Sequence, residues 1–395
     1  MEDLLLKSQL KIGQISLEHK RYLHAKINRN TRMIAIKGAR GTGKTTLLLQ
    51  LGKEKKADEV LYVALDDLLF TSNNLYGLAE QFSKIGGSLL LIDEVHKYPN
   101  WSRELKLIYD DFPTLQVVFT SSSILEIYKG ESDLSRRAYT YTLSELSYRE
   151  YLEFHENISL PAFSLEEISE KHGEIAIELV RQFSPLKYFS NYLKYGAYPY
   201  FEGNEDEYYQ KLINTVHLIL EVDLQTVENL DYNTIAKLKR LLYVISTNVP
   251  YTPNINKLSE QLQLNRNALV RALQLLNRAS LLHTLYKQTK SISSLNKPDK
   301  IWMHNTNFMY AISGKDVDKG TLRETFFIQN MPSEYQLSIP NQGDILVNNK
   351  FLFEIGGKNK STAQIQGINN AYVVRDDIEL GAFNTIPLWL FGFQY

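Results

Sequence analysis

Hydrophobic residues along this chain gather in short blocks set between stretches of helical spacing. Between Thr31 and about Leu143, four apolar runs recur: Met33 to Ile36, Val60 to Leu65, Ser88 to Ile92 and Gln116 to Thr120. Runs of this length fit strands buried on both faces, and the stretches between them fit covering helices. An α/β domain with a mainly parallel sheet is therefore predicted over 31–143. Ahead of it, residues 1–30 carry Leu4, Leu5, Leu10, Ile15 and Leu17 among polar groups, a loosely amphipathic helical lead-in expected to pack beside that domain. Residues 144–231 are helical by periodicity and rich in aromatic rings, a connector or lid whose rings read as core, with Tyr192 to Pro199 turning between helices. Over 232–315 a winged helix is predicted. Its first helix runs from Tyr232 to Ser246, and Asn254 caps a second bearing Ile255, Leu258 and Leu262. A turn at Gln263-Leu264-Asn265 leads to a third, Arg266 to Ala279, which points Leu269, Leu273 and Leu276 inward.

The run Gly38-Ala39-Arg40-Gly41-Thr42-Gly43-Lys44-Thr45-Thr46 sits between the first of those strands and the first covering helix. Its glycines let backbone N–H groups turn inward on a polyphosphate, and the helix that follows presents its positive end. Lys44 is expected on the β- and γ-phosphates and Thr45 on Mg²⁺, with Arg40, Thr42, Gly43 and Thr46 completing the nucleotide contacts. The third strand ends in Asp93-Glu94. Asp93 at the strand end suits water-mediated Mg²⁺ binding beside Thr45, and Glu94 suits orienting the water that attacks the γ-phosphorus. That second acid favours the hydrolysing branch of such proteins over kinases and GTPases. After the fourth strand, Ser121 or Ser122 is a candidate phosphate sensor, and Arg136 is a candidate stabiliser of transition-state charge. Arg137 is the second candidate for that role, and either arginine could instead be a surface ion-pair partner.

Composition narrows the choice. With 395 residues, 44% hydrophobic and 23% charged, the chain can bury several cores. It has no cysteine, so disulfides, thiolate catalysis and cysteine zinc sites are excluded. No segment approaches the ~20 apolar residues of a membrane span, and Met1-Glu2-Asp3-Leu4 opens no leader peptide, so a cytoplasmic, membrane-free protein is expected. A net charge of −1 gives no general attraction to nucleic acid. The charge is unevenly spread, however: Ile235 to Lys290 holds nine Lys or Arg against the single acid Glu260. On the Arg266 helix, Arg266, Asn267, Arg271, Gln274 and Arg278 are left outward, a face suited to a DNA major groove within a 254–279 module. A protein partner remains the alternative. Asn296-Lys297-Pro298-Asp299 matches a guanine-recognition tetrad, but it follows no strand of the nucleotide sheet and reads as a hairpin loop.

With the phosphate loop, Ile92-Asp93-Glu94, Thr120-Ser121-Ser122-Ser123 and Leu134-Ser135-Arg136 in this order, the chain resembles prokaryotic AAA-type ATPases that carry a restriction-endonuclease-like C-terminal domain. The resemblance continues through Gly196-Ala197-Tyr198-Pro199, Lys297 to Trp302, and Gly320-Thr321-Leu322-Arg323-Glu324. It implies ATP and Mg²⁺ as ligands, and a small α+β endonuclease-like domain over 316–395. It also implies that Glu324, Asp344 and Glu354 fill the acidic positions by which true nucleases gather Mg²⁺. The lysine position departs from that pattern: Gly356 stands two residues after Glu354, and Lys358 or Lys360 would have to swing back. A vestigial site in a scaffold or interaction domain is the expectation, with ATP turnover coupled to a DNA or protein partner. A nucleotide-switched DNA-binding regulator and an ATP-regulated nuclease are the alternatives.

Overall fold

The computed structural model describes residues 1–121, 134–227, 230–247, 254–287, 297–314 and 317–395. It divides into two compact units, Met1–Glu145 and Leu146–Tyr395. In the first, β1 (Met33–Lys37), β2 (Val60–Ala64), β3 (Leu89–Asp93), β4 (Gln116–Ser121) and β5 (Tyr139–Thr142) form one sheet in the order β2-β3-β4-β1-β5. Every neighbouring pair is parallel. The alternation of a strand sends Met33, Ala35, Leu90, Ile92, Val117 and Phe119 to one face, where Phe82, Trp101, Leu105 and Ile108 cover them. Ile34, Ile36, Leu89, Leu91 and Val118 go to the other, under Leu47, Leu48 and Leu51.

The four predicted strands are present, and β5 is a fifth. Its Tyr139-Thr140-Tyr141-Thr142 alternates ring and hydroxyl and lies half exposed at the sheet edge, so it shows none of the apolar run that marks the interior strands. The lead-in resolves into helices Glu2–Gln14 and Tyr22–Lys26. Leu4, Leu5 and Ile15 pack against the sheet's cores as expected, whereas Leu10 and Leu17 are exposed and Ser8 and Ile12 are the buried positions of the first helix. Ser8 is buried because its Oγ accepts from the Tyr62 N–H at 2.8 Å, covering the otherwise open edge of β2.

The second unit gathers the three C-terminal segments, expected as separate domains, around one core. Helices Tyr148–Glu156, Leu165–Val180, Pro185–Tyr195 and Glu205–Leu218 come first. Helices Tyr232–Thr247, Ile255–Leu262 and Arg266–Arg278 follow, then an antiparallel pair, β6 (Leu282–Leu285) and β7 (Lys300–Met303). Helices Thr306–Ser313 and Lys319–Gln329 precede the last sheet, made of β8 (Leu337–Ser338), β9 (Ile345–Val347), β10 (Phe351–Gly356), β11 (Ala371–Arg375) and β12 (Thr385–Pro387). Its order is β12-β11-β10-β9-β8, with β10–β11 and β11–β12 parallel and the rest antiparallel.

Side chains far apart in sequence knit these pieces together. The Tyr192 hydroxyl donates to the Leu146 carbonyl at 2.8 Å, and Gln329 donates to the Tyr192 hydroxyl at 3.0 Å. Buried Asn307 accepts from the Ala197 N–H at 2.9 Å and donates to the Leu193 carbonyl at 3.0 Å. The rings of Tyr148, Phe189, Tyr192, Phe326 and Phe393 pack edge-on or tilted in a shared core. The aromatic residues of the connector are thus structural, and a Cβ at Gly196 would strike the Tyr192 ring at 2.4 Å.

Candidate functional site

The loop between β1 and the Lys44–Lys53 helix is shaped by its glycines. Gly41 and Gly43 take φ of +86° and +92°, which costs other residues strain. A Cβ at Gly38 would lie 2.3 Å from the Leu143 carbonyl oxygen. Thr42 is buried, with its hydroxyl donating to the Ala39 carbonyl at 2.9 Å. Lys44 folds over the cradle and donates to the carbonyls of Gly38 and Ala39 at 3.0 and 2.7 Å. These are neutral acceptors that a phosphate oxygen, being charged, outcompetes. Burial brings the Lys44 pKa down to about 8, against the support of Glu94 and Asp93. Thr45 and Thr46 are exposed at the first turn of the helix.

Asp93 ends β3 almost wholly buried and is ringed by hydroxyls. Thr45 Oγ1 donates to its Oδ2 at 2.6 Å, Tyr62 donates to the same oxygen at 3.1 Å, and Thr120 donates to Oδ1. Burial, with Asp93 beside it, raises the pKa of Tyr62, so that phenol stays a donor. Mg²⁺ is commonly held by one or two protein oxygens plus water and phosphate, and the Thr45–Asp93 pair fits that requirement. Among the described residues there is no group of three acidic or histidine side chains that a more demanding metal would use. Glu94 follows with φ of +55°, in the left-handed region. Its backbone N–H lies 3.4 Å from Thr120 Oγ1, and its Oε2 lies 3.4 Å from His96 Nε2.

Ser121 is buried, with its Oγ 3.0 Å from His96 Nδ1, while Ser122 lies outside the described residues. Arg137 makes an ion pair, gripping Asp110 with two bonds of 2.9 Å, and Arg136 is exposed in the same turn. Sequence reading missed Thr120, Tyr62 and His96, which shape the Asp93-Glu94 pair. It also missed Arg21, whose buried guanidinium donates to the carbonyls of Thr42, Ser144 and Glu145. Thr120 ended a strand already flagged and could have been found by asking which hydroxyl stands level with Asp93. Arg21, 21 positions before Thr42, left no local signal.

In the second unit, Arg266, Asn267, Arg271, Gln274 and Arg278 are all exposed, while Leu269, Leu273 and Leu276 are buried. Lys297 to Asp299 lead into β7, with Asp299 accepting from the Lys287 N–H at 2.8 Å. This is a hairpin setting unlike that of a guanine reader, and Asn296 is outside the described residues. Glu324, Asp344 and Glu354 do converge. Lys300 Nζ lies 3.8 Å from Glu324 and 3.7 Å from Asp344, and Lys360 Nζ lies 2.5 Å from Glu354 and 4.0 Å from Asp344. Trp302 donates to Glu324 at 2.9 Å. Of the two candidate lysines, Lys358 is exposed and Lys360 turns back over Gly356 to meet the acids. Lys360 thus swings back to the lysine position, while among the described residues these acids form no group of three that could hold a metal.

Comparison with known proteins accords with this geometry. Residues 30–152 match the family described as an AAA domain. Their loop and parallel sheet are those of a P-loop nucleotide fold, in keeping with that match. Residues 186–319 match a domain of unknown function, DUF8612. The uncharacterized protein MJ1637 of Methanocaldococcus jannaschii is 25% identical over 408 residues, covering 91% of this chain and 85% of its own length. Among solved structures, the Walker-type ATPase of Pyrococcus abyssi aligns at 11% identity over 72% of this chain and 91% of its own, with a TM-score of 0.42. AMPPCP-bound DnaA from Aquifex aeolicus aligns at 18% identity over 64% and 83%, with a TM-score of 0.29. Among the described residues, no helix is long and apolar enough to cross a membrane.

Proposed function

We propose that this protein is a Mg²⁺-dependent ATPase whose second unit couples the cycle to a partner. The observation that carries the reading is the 2.6 Å bond between Thr45 and Asp93 at the mouth of the Lys44 loop, with a second acid, Glu94, next in sequence. Lys44 leaves the Gly38 and Ala39 carbonyls to hold the β- and γ-phosphates, and the loop amides hold the remaining charge. Thr45 and Asp93 hold Mg²⁺, which when bound neutralises charge developing on the phosphate oxygens. Glu94 accepts a hydrogen bond from the attacking water and orients it in line. Arg136 is exposed just ahead of β5, at the edge of the sheet opposite the phosphate loop, so any transition-state charge it stabilises would be that of a neighbouring copy. The test is phosphate release from ATP by purified protein. Glu94→Gln should bind nucleotide and lose turnover, and a variant hydrolysing at the parental rate would overturn the assignment.

The partner we infer is duplex DNA, bound by a winged-helix module that includes the Arg266–Arg278 helix. Support comes from the exposure of its five polar residues over a buried leucine face, and from the antiparallel β6–β7 hairpin that follows it. In this reading the endonuclease-like sheet is a scaffold. DNA-stimulated phosphate release is the expected result, and release insensitive to DNA would redirect the search to a protein partner. Slow or absent release with retained ATP and DNA binding would favour the nucleotide-switched regulator.

A further inference from the structure

We infer that His96 is a positioning residue for Glu94, with Ser121 holding its other ring nitrogen. The inference rests on the ATPase reading of Glu94. His96 is buried in the short turn Val95–Lys97, with its Nε2 3.4 Å from Glu94 Oε2 and its Nδ1 3.0 Å from Ser121 Oγ. A carboxylate can only accept, so the proton of a neutral ring must sit on Nε2 and point at Glu94. Nδ1 is then bare and accepts from the Ser121 hydroxyl. Glu94 sets the tautomer, and the Ser121 hydroxyl, able to donate or accept, satisfies the nitrogen left over.

The ring is neutral for a physical reason. Burial brings the His96 pKa down to about 3, and the positive charges of Lys97, Arg40 and Lys44 push the same way. A charged imidazolium would clamp Glu94 in an ion pair and lower its basicity. A neutral N–H fixes the carboxylate's direction and leaves its second oxygen able to accept from water. Ser121 closes β4 opposite Lys37, the last residue of β1, which runs directly into the phosphate loop. The strand that feeds the loop and the strand that fixes the histidine are therefore hydrogen-bonded neighbours, and the orientation of Glu94 is tied to the backbone that cradles phosphate.

Two measurements decide it. In long-range ¹H–¹⁵N spectra of the histidine side chains, with the His96 signal assigned by its loss in His96→Gln, that ring should be the neutral Nε2–H tautomer and stay so to at least pH 5. Titration near the ordinary histidine value, or an Nδ1–H tautomer, would overturn the inference whether or not the protein turns over ATP. In steady-state kinetics, His96→Ala should lower kcat about tenfold, the loss of one ordinary hydrogen bond in the transition state, with ATP affinity unchanged. Gln places its amide nitrogen near the position of Nε2, and Asn places it near Nδ1. His96→Gln should therefore recover most of kcat and His96→Asn should not, whereas a packing role would leave the two alike and sink the inference. Absence of Glu94-dependent turnover in the parent would instead sink the ATPase reading, leaving the spectra to decide the relay.

Discussion

Two clusters of acids and lysines, one in each unit, are built from the same residue types and arrive at opposite chemistry. Around Asp93 the partners are hydroxyls from Thr45, Tyr62 and Thr120, and the nearby Lys44 is bonded to backbone carbonyls. Around Asp344 and Glu354 the partners are ammonium groups, Lys300 and Lys360. Hydroxyls leave a carboxylate its full negative charge and can rotate to share it with a cation, whereas an ammonium has already neutralised it. What an acidic residue does is decided by what it is paired with, and a motif that records only the acids does not carry that information.

The contrast can be broken most forcefully at Glu94. Glu94→Gln should cut kcat about a hundred- to ten-thousand-fold, the usual range for losing a general base, while Asp344→Ala leaves phosphate release unchanged. Next come the two lysines, which should respond in opposite directions. Lys360→Met strands the almost fully buried Glu354 and should cost about 2 kcal/mol in urea unfolding, below the usual range for a broken buried pair because Lys360 is partly exposed. Lys44→Met should abolish ATP binding yet raise the unfolding midpoint at pH 7. Its folded pKa is lowered, so burying the charge opposes folding below about pH 8, and the opposition fades as pH rises through that value.

A smaller effect is expected from replacing Arg266, Arg271 and Arg278 by alanine. Duplex affinity should fall and the slope of log affinity against log salt should flatten by about 3 if each arginine meets one phosphate, as fluorescence anisotropy across salt would read. The smallest is in pH. Polyphosphate binds the protonated form of Lys44, so ATP affinity should hold below about pH 8 and weaken above it, by no more than about tenfold per pH unit. A flat profile from pH 7 to 9 would mean that the lysine is not the titrating contact.

The nucleotide unit was legible because its signals are local. The loop and its two flanking elements occupy one short stretch, Asp93 and Glu94 end an apolar run, and short continuous apolar runs mark four of five strands. β5 escaped because an edge strand with tyrosine and threonine needs no apolar run. The second unit was legible in its helices, whose apolar positions fall at i, i+3 and i+4, but its unity was not. Asn307 reaching Ala197, and Gln329 reaching Tyr192, are contacts across more than 100 residues that leave no periodicity. Which of Lys358 and Lys360 joins the acid cluster could not be read for a related reason. Counting along a strand keeps a residue on the same face only while the strand lasts, and β10 ends at Gly356.

Arg21 gives the phosphate loop a mechanical boundary condition. One planar guanidinium holds the Thr42 carbonyl inside the loop and the carbonyls of Ser144 and Glu145 just beyond β5, where the first unit ends. A buried guanidinium that loses one acceptor bears an unsatisfied charge-assisted bond, so the three carbonyls are obliged to move together. Tension applied to the chain as it leaves the nucleotide unit is thereby delivered to the cradle itself, and a change in the cradle is felt at that exit. The loop is thus coupled, through one guanidinium, to the segment by which the chain leaves the first unit.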